Sequence, residues 1–242
     1  MSENLGTHFL ELRNRILYSF SFFVIAFVCI YPFNNYFFNN IVDYLQTFTT
    51  IDLIAVEVAS PFIVPLKLSA FIAALISIPF LLYQTLAFMS PGLYPKERIV
   101  IFSRTIIGSL LFFLGVSFCF LVVLPNVLNF FQTVGPESIK VTTDISNFLS
   151  FVLTLSFGFG VAFQIPLIVN ALIRLKITNK IKLKSYRGLV LILCFIFGMI
   201  FTPPDVVSQF LMAVPMYLLF EIGLLFSLSL IHISEPTRQP II

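Results

Sequence analysis

Residues 90–98 read Ser-Pro-Gly-Leu-Tyr-Pro-Lys-Glu-Arg and separate two long apolar runs of the chain. Pro91, Gly92 and Pro95 oppose a continuous helix through this stretch, and three charged residues follow one another at its end. A polar turn between two apolar runs is the pattern of a loop that joins two membrane-spanning helices. The stretch therefore marks where a second span ends and a third begins.

The composition is that of an integral membrane protein. The 242-residue chain is 59% hydrophobic and 10% charged, and its mean hydropathy is +1.03, whereas soluble domains carry about 25% charged residues. A helix crosses a bilayer in about 20 residues, so this length allows about six spans and no separate soluble domain. We expect an all-α bundle of six transmembrane helices in one membrane domain, residues 1–226. The apolar runs that define the spans cover about 16–33, 62–89, 105–124, 148–172, 188–201 and 206–226.

The basic residues predict the orientation of the bundle. Eleven of them lie before the first span, between the second and third, and between the fourth and fifth, whereas the opposite loops contain only Lys140. Lys and Arg mark the side that is not translocated, so both termini are expected on the cytoplasmic or matrix side.

Two longer loops on the opposite, trans side are expected to form a cap. Within residues 37–50, four apolar residues follow the helical spacing i, i+3, i+4, i+7, which predicts a short amphipathic helix on or over the bundle. These residues are Phe38, Ile41, Val42 and Leu45. Within residues 125–147, the third helix is expected to continue to Phe131, and the chain then to turn at Gly135-Pro136. One of Thr142, Thr143 and Asp144 is expected to cap the fourth helix.

Several prolines lie inside or between the predicted spans. We expect each proline within a span to bend its helix, since proline lacks the N–H that a continuous helix needs. These are Pro65, Pro79, Pro166 and Pro215. The sequence Thr202-Pro-Pro-Asp205 predicts a tight reversal between the fifth and sixth spans.

No pattern indicates catalysis, a metal or a cofactor. Cys29, Cys119 and Cys194 all lie inside apolar runs, where a cysteine usually packs as a small hydrophobic residue. The sequence has two histidines and lacks the patterns of zinc hydrolases, phosphate-binding loops and nucleophile elbows. We therefore expect no enzyme activity, no metal, no cofactor and no nucleic-acid partner.

The two ends of the sequence carry separate expectations. No small-residue cleavage site follows the first apolar run, so we expect that run to be a membrane anchor rather than a cleaved signal peptide. At the other end, Leu228 to Arg238 matches the in-frame translation of a transposon-based sequencing adapter. We interpret residues 227–242 as a non-native tail and leave them out of functional reasoning.

Polar residues inside the spans are candidates for function because they are unfavourable in hydrocarbon. These residues are Lys67, Gln84, Gln164, Asn170, Gln209 and Glu221. Lys67 is expected to reach the trans interface along its flexible stem. Gln209 belongs to a polar patch with Thr202, Asp205 and Ser208, which either caps and ties the helices or docks the transmembrane helix of a partner. Glu221 lies about 18 Å further along the same helix, at its opposite end.

Glu11 and Glu97 are carboxylates near span ends on the side that is rich in Lys and Arg. One interpretation pairs Glu11 with Arg15 at i, i+4 and Glu97 with neighbouring basic residues, as surface ion pairs. The other makes them an acceptor for an incoming guanidinium group, which a carboxylate binds through two oxygens. The residue spacing alone favours the ion pairs.

Six stretches together resemble one known family, and they occur in order within residues 6–226. They are His-Phe-Leu-Glu-Leu-Arg (8–13), Ala-Ser-Pro-Phe (59–62), the loop 90–98, Phe-Gly-Phe-Gly-Val-Ala-Phe-Gln-Ile-Pro (157–166), Thr-Pro-Pro-Asp-Val-Val-Ser-Gln (202–209) and Phe-Glu-Ile-Gly (220–223). The chain resembles TatC, the multi-spanning subunit of the twin-arginine protein translocase. The resemblance implies a receptor for twin-arginine signal peptides that helps to move folded proteins across an energised membrane. It also implies single-span partners of the TatA and TatB type, and a homo-oligomer within a larger complex.

The resemblance implies roles for particular residues. The signal-peptide site would comprise Glu11, Arg13, Leu93, Tyr94 and Glu97. Docking of partner helices would involve Gln164, Met199, Thr202 and Gln209. Further structural or functional positions would be Pro61, Phe88, Pro91, Asp205 and Glu221. At Gln164 many bacterial relatives have Glu, so a role that needs a titratable group there is in doubt.

Two other classes of function stay open at this point. A small-solute or ion carrier is the main alternative, although the two halves of the chain show no internal repeat of the kind carriers usually have. A purely structural assembly subunit is the second. The 31 Phe and the lack of Trp suggest an AT-rich genome, so we expect the mitochondrial inner membrane, with a bacterial inner membrane or a plastid thylakoid as alternatives.

Overall fold

The computed structural model describes residues 2–47, 52–88, 98–134, 142–174, 177–202 and 205–231. The helices are α1 (Ser2–Ile30), α2 (Asn34–Gln46), α3 (Ser60–Phe88), α4 (Arg98–Phe118), α5 (Leu124–Val134), α6 (Ile145–Ala162), α7 (Ile165–Arg174), α8 (Lys180–Ser185), α9 (Arg187–Phe201) and α10 (Val206–Ile231). A 3₁₀ turn, Tyr31–Phe33, joins α1 to α2, and a π turn, Cys119–Val123, joins α4 to α5. Two short strands, β1 (Asp52–Ile54) and β2 (Thr142–Asp144), pair in parallel.

Five helical regions of the described chain are long and apolar enough to cross a membrane. They are Phe9–Gln46, Ser60–Phe88, Ile101–Phe131, Ile145–Ile173 and Val206–Leu225. Helix α9 is also apolar but has only 15 residues, or about 22 Å against a hydrocarbon core of about 30 Å. The predicted all-α, multi-span membrane architecture is confirmed. The count of six spans and the side of the termini stay predictions.

The centre of the bundle is α6, which packs against α3, α4 and α9. Its residues Val152, Leu155 and Phe159 are fully buried. Helix α4 approaches it closely at Gly115, where an added Cβ atom would lie 2.6 Å from the carbonyl oxygen of Phe159. Only glycine therefore permits this approach of the two backbones.

Helix α1 is peripheral and packs chiefly against α3. The rings of Phe22 and Phe80 stack across this interface with centroids 4.9 Å apart. From Phe9 to Val28, many side chains of α1 are exposed and apolar, as expected of a surface that faces lipid. We call the end of the bundle that holds Arg15, Gln84 and Arg187 the basic end, and the end that holds β1 and β2 the cap end.

The predicted cap and its amphipathic helix are confirmed. Helix α2 buries Leu45 in the core, and Tyr44 donates a hydrogen bond of 3.1 Å to the carbonyl oxygen of Phe120. The β1–β2 pairing joins the two trans-side loops and was not predicted from the sequence. Asp144 caps α6 by accepting from the Asn147 N–H at 3.2 Å, as predicted, and also accepts from the Val56 N–H at 3.3 Å. The turn predicted at Gly135-Pro136 lies outside the described residues.

The fourth span is not one continuous helix. Helix α6 ends at Ala162, and α7 begins at Ile165 after a turn at Phe163-Gln164. Pro166 explains the break, because it cannot donate to the carbonyl of Ala162 and its ring would collide with that carbonyl. In the third span, the π turn Cys119–Val123 precedes Pro125, so the helical ladder is irregular there as well. Pro65, Pro79 and Pro215 lie inside helices, and the bends predicted there stay predictions.

The chain reverses between α9 and α10, as predicted. Helix α9 ends at Phe201 and α10 begins at Val206, and the two helices pack on each other. Pro203 and Pro204 themselves lie outside the described residues.

Near the cap end of α3, Lys67 donates to the hydroxyls of Ser150 at 2.9 Å and Ser146 at 3.4 Å. Lys67 therefore reaches two serines of α6.

Candidate functional site

A carboxylate, a guanidinium and an amide meet at the basic end of α1 and α3. Glu11 and Arg15 lie one helical turn apart on one face of α1, and Glu11 Oε1 accepts from Arg15 Nε at 2.9 Å and from Nη2 at 2.7 Å. The remaining Arg15 nitrogen, Nη1, donates to Gln84 Oε1 on α3 at 2.9 Å. The i, i+4 ion pair predicted between Glu11 and Arg15 is confirmed. Arg15 also binds the neighbouring helix α3 through Gln84.

These three side chains line a cavity of about 590 Å³ at the basic end. Its other residues are Leu10, Asn14, Tyr18 and Tyr83. The side chain of Glu11 is 42% exposed, so its carboxylate is accessible from this cavity. A carboxylate beside amides and tyrosines is suited to bind a guanidinium or ammonium group.

A second, apolar cavity of about 490 Å³ lies between α1 and α3 and shares Arg15 and Gln84 with the first. Phe20, Phe23 and Phe88 contribute to its walls, together with Phe157 of α6. The polar cavity and the apolar cavity therefore adjoin at the Arg15–Gln84 hydrogen bond. Such a pair of cavities is suited to a ligand with a cationic end and an apolar segment.

The other residues predicted for the signal-peptide site have different outcomes. Arg13 is exposed on α1, two residues from the cluster. Leu93, Tyr94 and Glu97 lie outside the described part of the chain, so their role stays a prediction. The same holds for Pro91, which is predicted as a structural or functional position.

A second ion pair lies at the basic end of the α9–α10 hairpin. Arg187 Nη2 donates to Glu221 Oε2 at 2.6 Å, and the Tyr217 hydroxyl donates to Glu221 Oε1 at 3.0 Å. Glu221 therefore connects the start of α9 to α10 and also hydrogen-bonds to Tyr217, one turn earlier on α10. The contacts indicate a structural role for Glu221 at this end of the hairpin.

The predicted polar patch occupies the opposite end of the same hairpin. Gln209 Nε2 donates to the carbonyl oxygen of Phe195 at 3.0 Å, and Thr202 Oγ1 donates to the carbonyl oxygen of Gly198 at 2.9 Å. Asp205 caps α10 through a hydrogen bond of 2.7 Å from the Ser208 N–H to Oδ2. These contacts support the capping interpretation. Met199 is 59% exposed, and its role in partner docking stays a prediction.

Gln164, predicted like Met199, Thr202 and Gln209 to take part in partner docking, lies apart from this patch, and its docking role stays a prediction. Its Nε2 donates to the carbonyl oxygen of Gly108 at 2.9 Å, and the residue is 8% exposed. The adjacent Pro166 lies against Gly223, where an added Cβ would be 2.9 Å from Pro166 Cα. Gly223 is about 21 Å along α10 from Gln209. Gln164 is thus buried between α4 and the α6–α7 turn, far from the cap end.

Pro61 lies in the first turn of α3 and is exposed. Proline is accommodated in a first helical turn because that N–H has no intrahelical acceptor. No contact of Pro61 indicates its function, which stays a prediction.

Among the described residues, no group of three His, Cys, Asp or Glu side chains is placed to hold a metal ion.

Gln84 has a partner that its local sequence does not indicate. It is a polar residue within a predicted span, and its hydrogen bond to Arg15 joins positions 69 residues apart. No local spacing rule predicts such a contact. The usable signal was the repeated occurrence of polar residues at the basic ends of two adjacent spans.

The fold and the site define a multi-span membrane protein with a cavity at its basic end that is lined by the Glu11–Arg15 ion pair. The sequence model of the family "Sec-independent protein translocase protein (TatC)" matches residues 7–215. The chain belongs to the TatC family. Its family is one of protein-transport subunits, so the chain is a translocase component and not an enzyme or a solute carrier.

Individual relatives agree with this assignment. The chain is 42% identical over 222 residues to TatC of Halothiobacillus neapolitanus, covering 91% of this chain and 61% of that relative. It is 40% identical over 230 residues to TatC of Escherichia coli K12, covering 93% and 88%. A crystal structure described as the twin-arginine translocase receptor TatC superposes with a TM-score of 0.83 at 30% identity, covering 92% of this chain and 98% of that one. The chain thus spans about three fifths of the Halothiobacillus relative and most of the other two.

Proposed function

We propose that Glu11, together with Glu97, receives the arginines of twin-arginine signal peptides at the basic end of the protein. The observation that supports the proposal most is the position of Glu11. Its carboxylate is partly exposed at a cavity of about 590 Å³, with an amide and two tyrosines beside it. A guanidinium binds a carboxylate with two parallel hydrogen bonds, which suits this cavity to arginine better than to other cations.

The apolar cavity next to it supports the same proposal. A signal peptide carries an apolar segment after its arginines, and the cavity between α1 and α3 continues from the polar one through Arg15 and Gln84. A peptide whose arginines contact Glu11 would therefore meet an apolar wall directly afterwards. The order of polar and apolar surface matches the order of the ligand.

Single-span partners of the TatA and TatB type are proposed to dock on the α9–α10 hairpin. Helix α9 buries Cys194 and Gly198 against the bundle and exposes Ile196, Met199 and Ile200. The Oδ1 atom of Asp205 and the hydroxyl of Ser208 are buried without a hydrogen-bond partner in the described part of the chain. A polar residue of a partner helix at the cap end would satisfy such groups. Thr202 and Gln209 would then act by setting the hairpin geometry.

The proposed setting is a bacterial inner membrane, where the chain works as part of a Tat complex that contains more than one copy of it. The relatives reported above are bacterial. The mitochondrial inner membrane, expected from the composition, finds no support in them.

The test is photocrosslinking of a twin-arginine signal peptide to membranes that contain the full chain. Glu11→Ala and Glu97→Ala are each expected to abolish the crosslink while the protein still inserts in the membrane. Asp43→Ala is the matched control, because Asp43 is an exposed carboxylate on α2 near the cap end. Unchanged crosslinking in both glutamate variants would refute the proposal.

A further inference from the structure

A third cavity lies between α4, α7 and α10 and shares no residue with the two cavities beside α1. Its volume is about 460 Å³. Two of its lining side chains are polar, Arg104 of α4 and Asn170 of α7, and the others are apolar. Asn170 is one of the polar residues within the spans, and the signal-peptide site leaves it without a role.

The polar and apolar linings of this cavity lie at different depths. Arg104 lies about 9 Å along α4 from its start at Arg98, and Leu111 lies about 10 Å deeper. Asn170 lies about 6 Å before the end of α7, and Pro166 lies about 6 Å deeper. The cavity therefore has a polar mouth towards the basic end and an apolar floor towards the middle of the bundle.

We infer that this cavity binds one anionic phospholipid from the leaflet at the basic end. The guanidinium of Arg104 would hold the lipid phosphate with two parallel hydrogen bonds, and the Asn170 amide would donate to a phosphate or ester oxygen. One acyl chain would lie along Leu111 and Leu167 on the floor. The lipid site is separate from Glu11, so it stands or falls independently of the proposed function.

The size of the cavity favours a lipid chain over a helical ligand. An α-helix with its side chains is about 10 Å across, so two of its turns occupy about 850 Å³. The cavity of about 460 Å³ cannot enclose such a segment. A single acyl chain is much narrower and fits between the three helices. A partner helix or a helical signal segment is therefore the less suitable occupant.

The charges around the mouth favour a lipid with a net negative headgroup. Leu183 of α8 packs on the apolar cluster between α7 and α10, and Lys182 and Lys184 on either side of it are exposed. The carboxylate of Glu221 on α10 is paired with Arg187 at 2.6 Å. The positive potential of the lysines attracts a phosphate and repels the choline group of a zwitterionic lipid.

The test is native mass spectrometry of the full chain in a mild detergent, mixed with equal amounts of phosphatidylglycerol and phosphatidylcholine with the same acyl chains. The original chain should retain one phosphatidylglycerol at least about tenfold in preference to phosphatidylcholine. Arg104→Gln should reduce this preference about fivefold, because one positive charge and the paired hydrogen bonds are lost. Arg104→Lys keeps the charge without the planar fork and should give an intermediate preference. Arg13→Gln is the matched control, because it removes the same charge from an exposed position at the basic end of α1.

Variants that fill the cavity test where the lipid is held. Ala171→Phe adds a ring at the mouth and should reduce retention of both lipids about tenfold, and Leu167→Trp at the floor should act in the same direction. Leu114→Phe is the control for added bulk, because Leu114 is 57% exposed on α4 and does not line the cavity. Size-exclusion profiles identify the variants that fold, and only these are compared.

Three results would overturn the lipid site. The first is an original chain that retains neither lipid or shows no preference between them. The second is an Arg104→Gln variant whose preference is unchanged or falls no further than that of Arg13→Gln. The third is unchanged lipid retention in the folded variants that fill the cavity, which would place the lipid elsewhere on the protein.

Discussion

Helices α6 and α1 are both apolar membrane spans, but they are packed very differently. In an 18-residue window of the fourth span, 61% of the residues are buried, against 6% in the first. Helix α6 has neighbours on several sides, whereas α1 packs chiefly on α3. The proposed site lies on the lightly packed helix.

This difference separates the part of the molecule that fixes the fold from the part that binds. In lipid an exposed apolar side chain is not unfavourable, so α1 needs few protein contacts to remain in place. Substitutions at the α1–α3 contact are therefore expected to leave the core around α6 in place. The Glu11–Arg15 ion pair and the Arg15–Gln84 hydrogen bond belong to this peripheral contact.

The largest effect is expected from truncating a core ring. Phe159 is fully buried on α6, and its ring lies 5.8 Å from that of Phe118. Phe159→Ala should destabilise the protein by about 3 kcal/mol, mainly because the packing contacts of the removed ring are lost. Phe22→Ala, on the 38% exposed ring of α1, should cost about 1 kcal/mol or less. Thermal unfolding followed by size-exclusion chromatography measures both, and equal losses would contradict the division into core and periphery.

The next effect concerns the close approach of α4 and α6. A Cβ at position 115 would lie 2.6 Å from a backbone oxygen of Phe159 and 2.8 Å from the Phe163 ring. Gly115→Ala should therefore destabilise the fold by about 1–3 kcal/mol. Gly188→Ala is the control, because an added Cβ there meets no atom within 4 Å. The same thermal assay should show a lower midpoint for the first variant only.

A smaller effect is expected where α1 is tied to α3. Gln84→Leu removes the acceptor for Arg15 Nη1 and should destabilise the α1–α3 contact by about 1 kcal/mol. Gln84→Glu keeps an acceptor in place and should retain that stability. Hydrogen exchange of the α1 backbone amides reports the contact directly. Equal exchange in both variants would show that this hydrogen bond does not hold α1 on α3.

The smallest effect is expected at the other ion pair. Arg187 and Glu221 are 47% and 24% exposed, so their attraction is screened and worth about 0–1 kcal/mol. Arg187→Gln should lower the midpoint of thermal unfolding slightly, and Arg187→Lys less. A loss as large as that of Phe159→Ala would mean that the α9–α10 hairpin, rather than α6, limits the stability of the bundle.

The sequence predicted the local features of this fold well. The apolar runs, the amphipathic residues of α2, the Asp144 cap and the Glu11–Arg15 pair all follow from spacing along one helix or from one turn. The β1–β2 pairing, the Arg15–Gln84 hydrogen bond and the burial of Gln164 against Gly108 depend on residues brought together from distant parts of the chain. Spacing rules carry no information on such contacts.

Proline shows the same limit within single elements. The sequence indicated that Pro166 would bend the fourth span, and the structure has a two-residue turn at Phe163-Gln164 between α6 and α7. Pro65, Pro79 and Pro215 remain inside helices. Whether a proline bends or ends a helix depends on what packs around the freed carbonyl, which the sequence does not contain.

The most direct test of Glu11 as an arginine acceptor is a thermodynamic cycle on signal-peptide affinity. The original chain and Glu11→Gln are each titrated with a twin-arginine peptide and with the same peptide carrying two glutamines. We predict that Glu11→Gln weakens binding of the arginine peptide at least about tenfold, or about 1.4 kcal/mol, and leaves the affinity for the glutamine peptide unchanged. Equal weakening of both peptides, or of neither, would contradict the account.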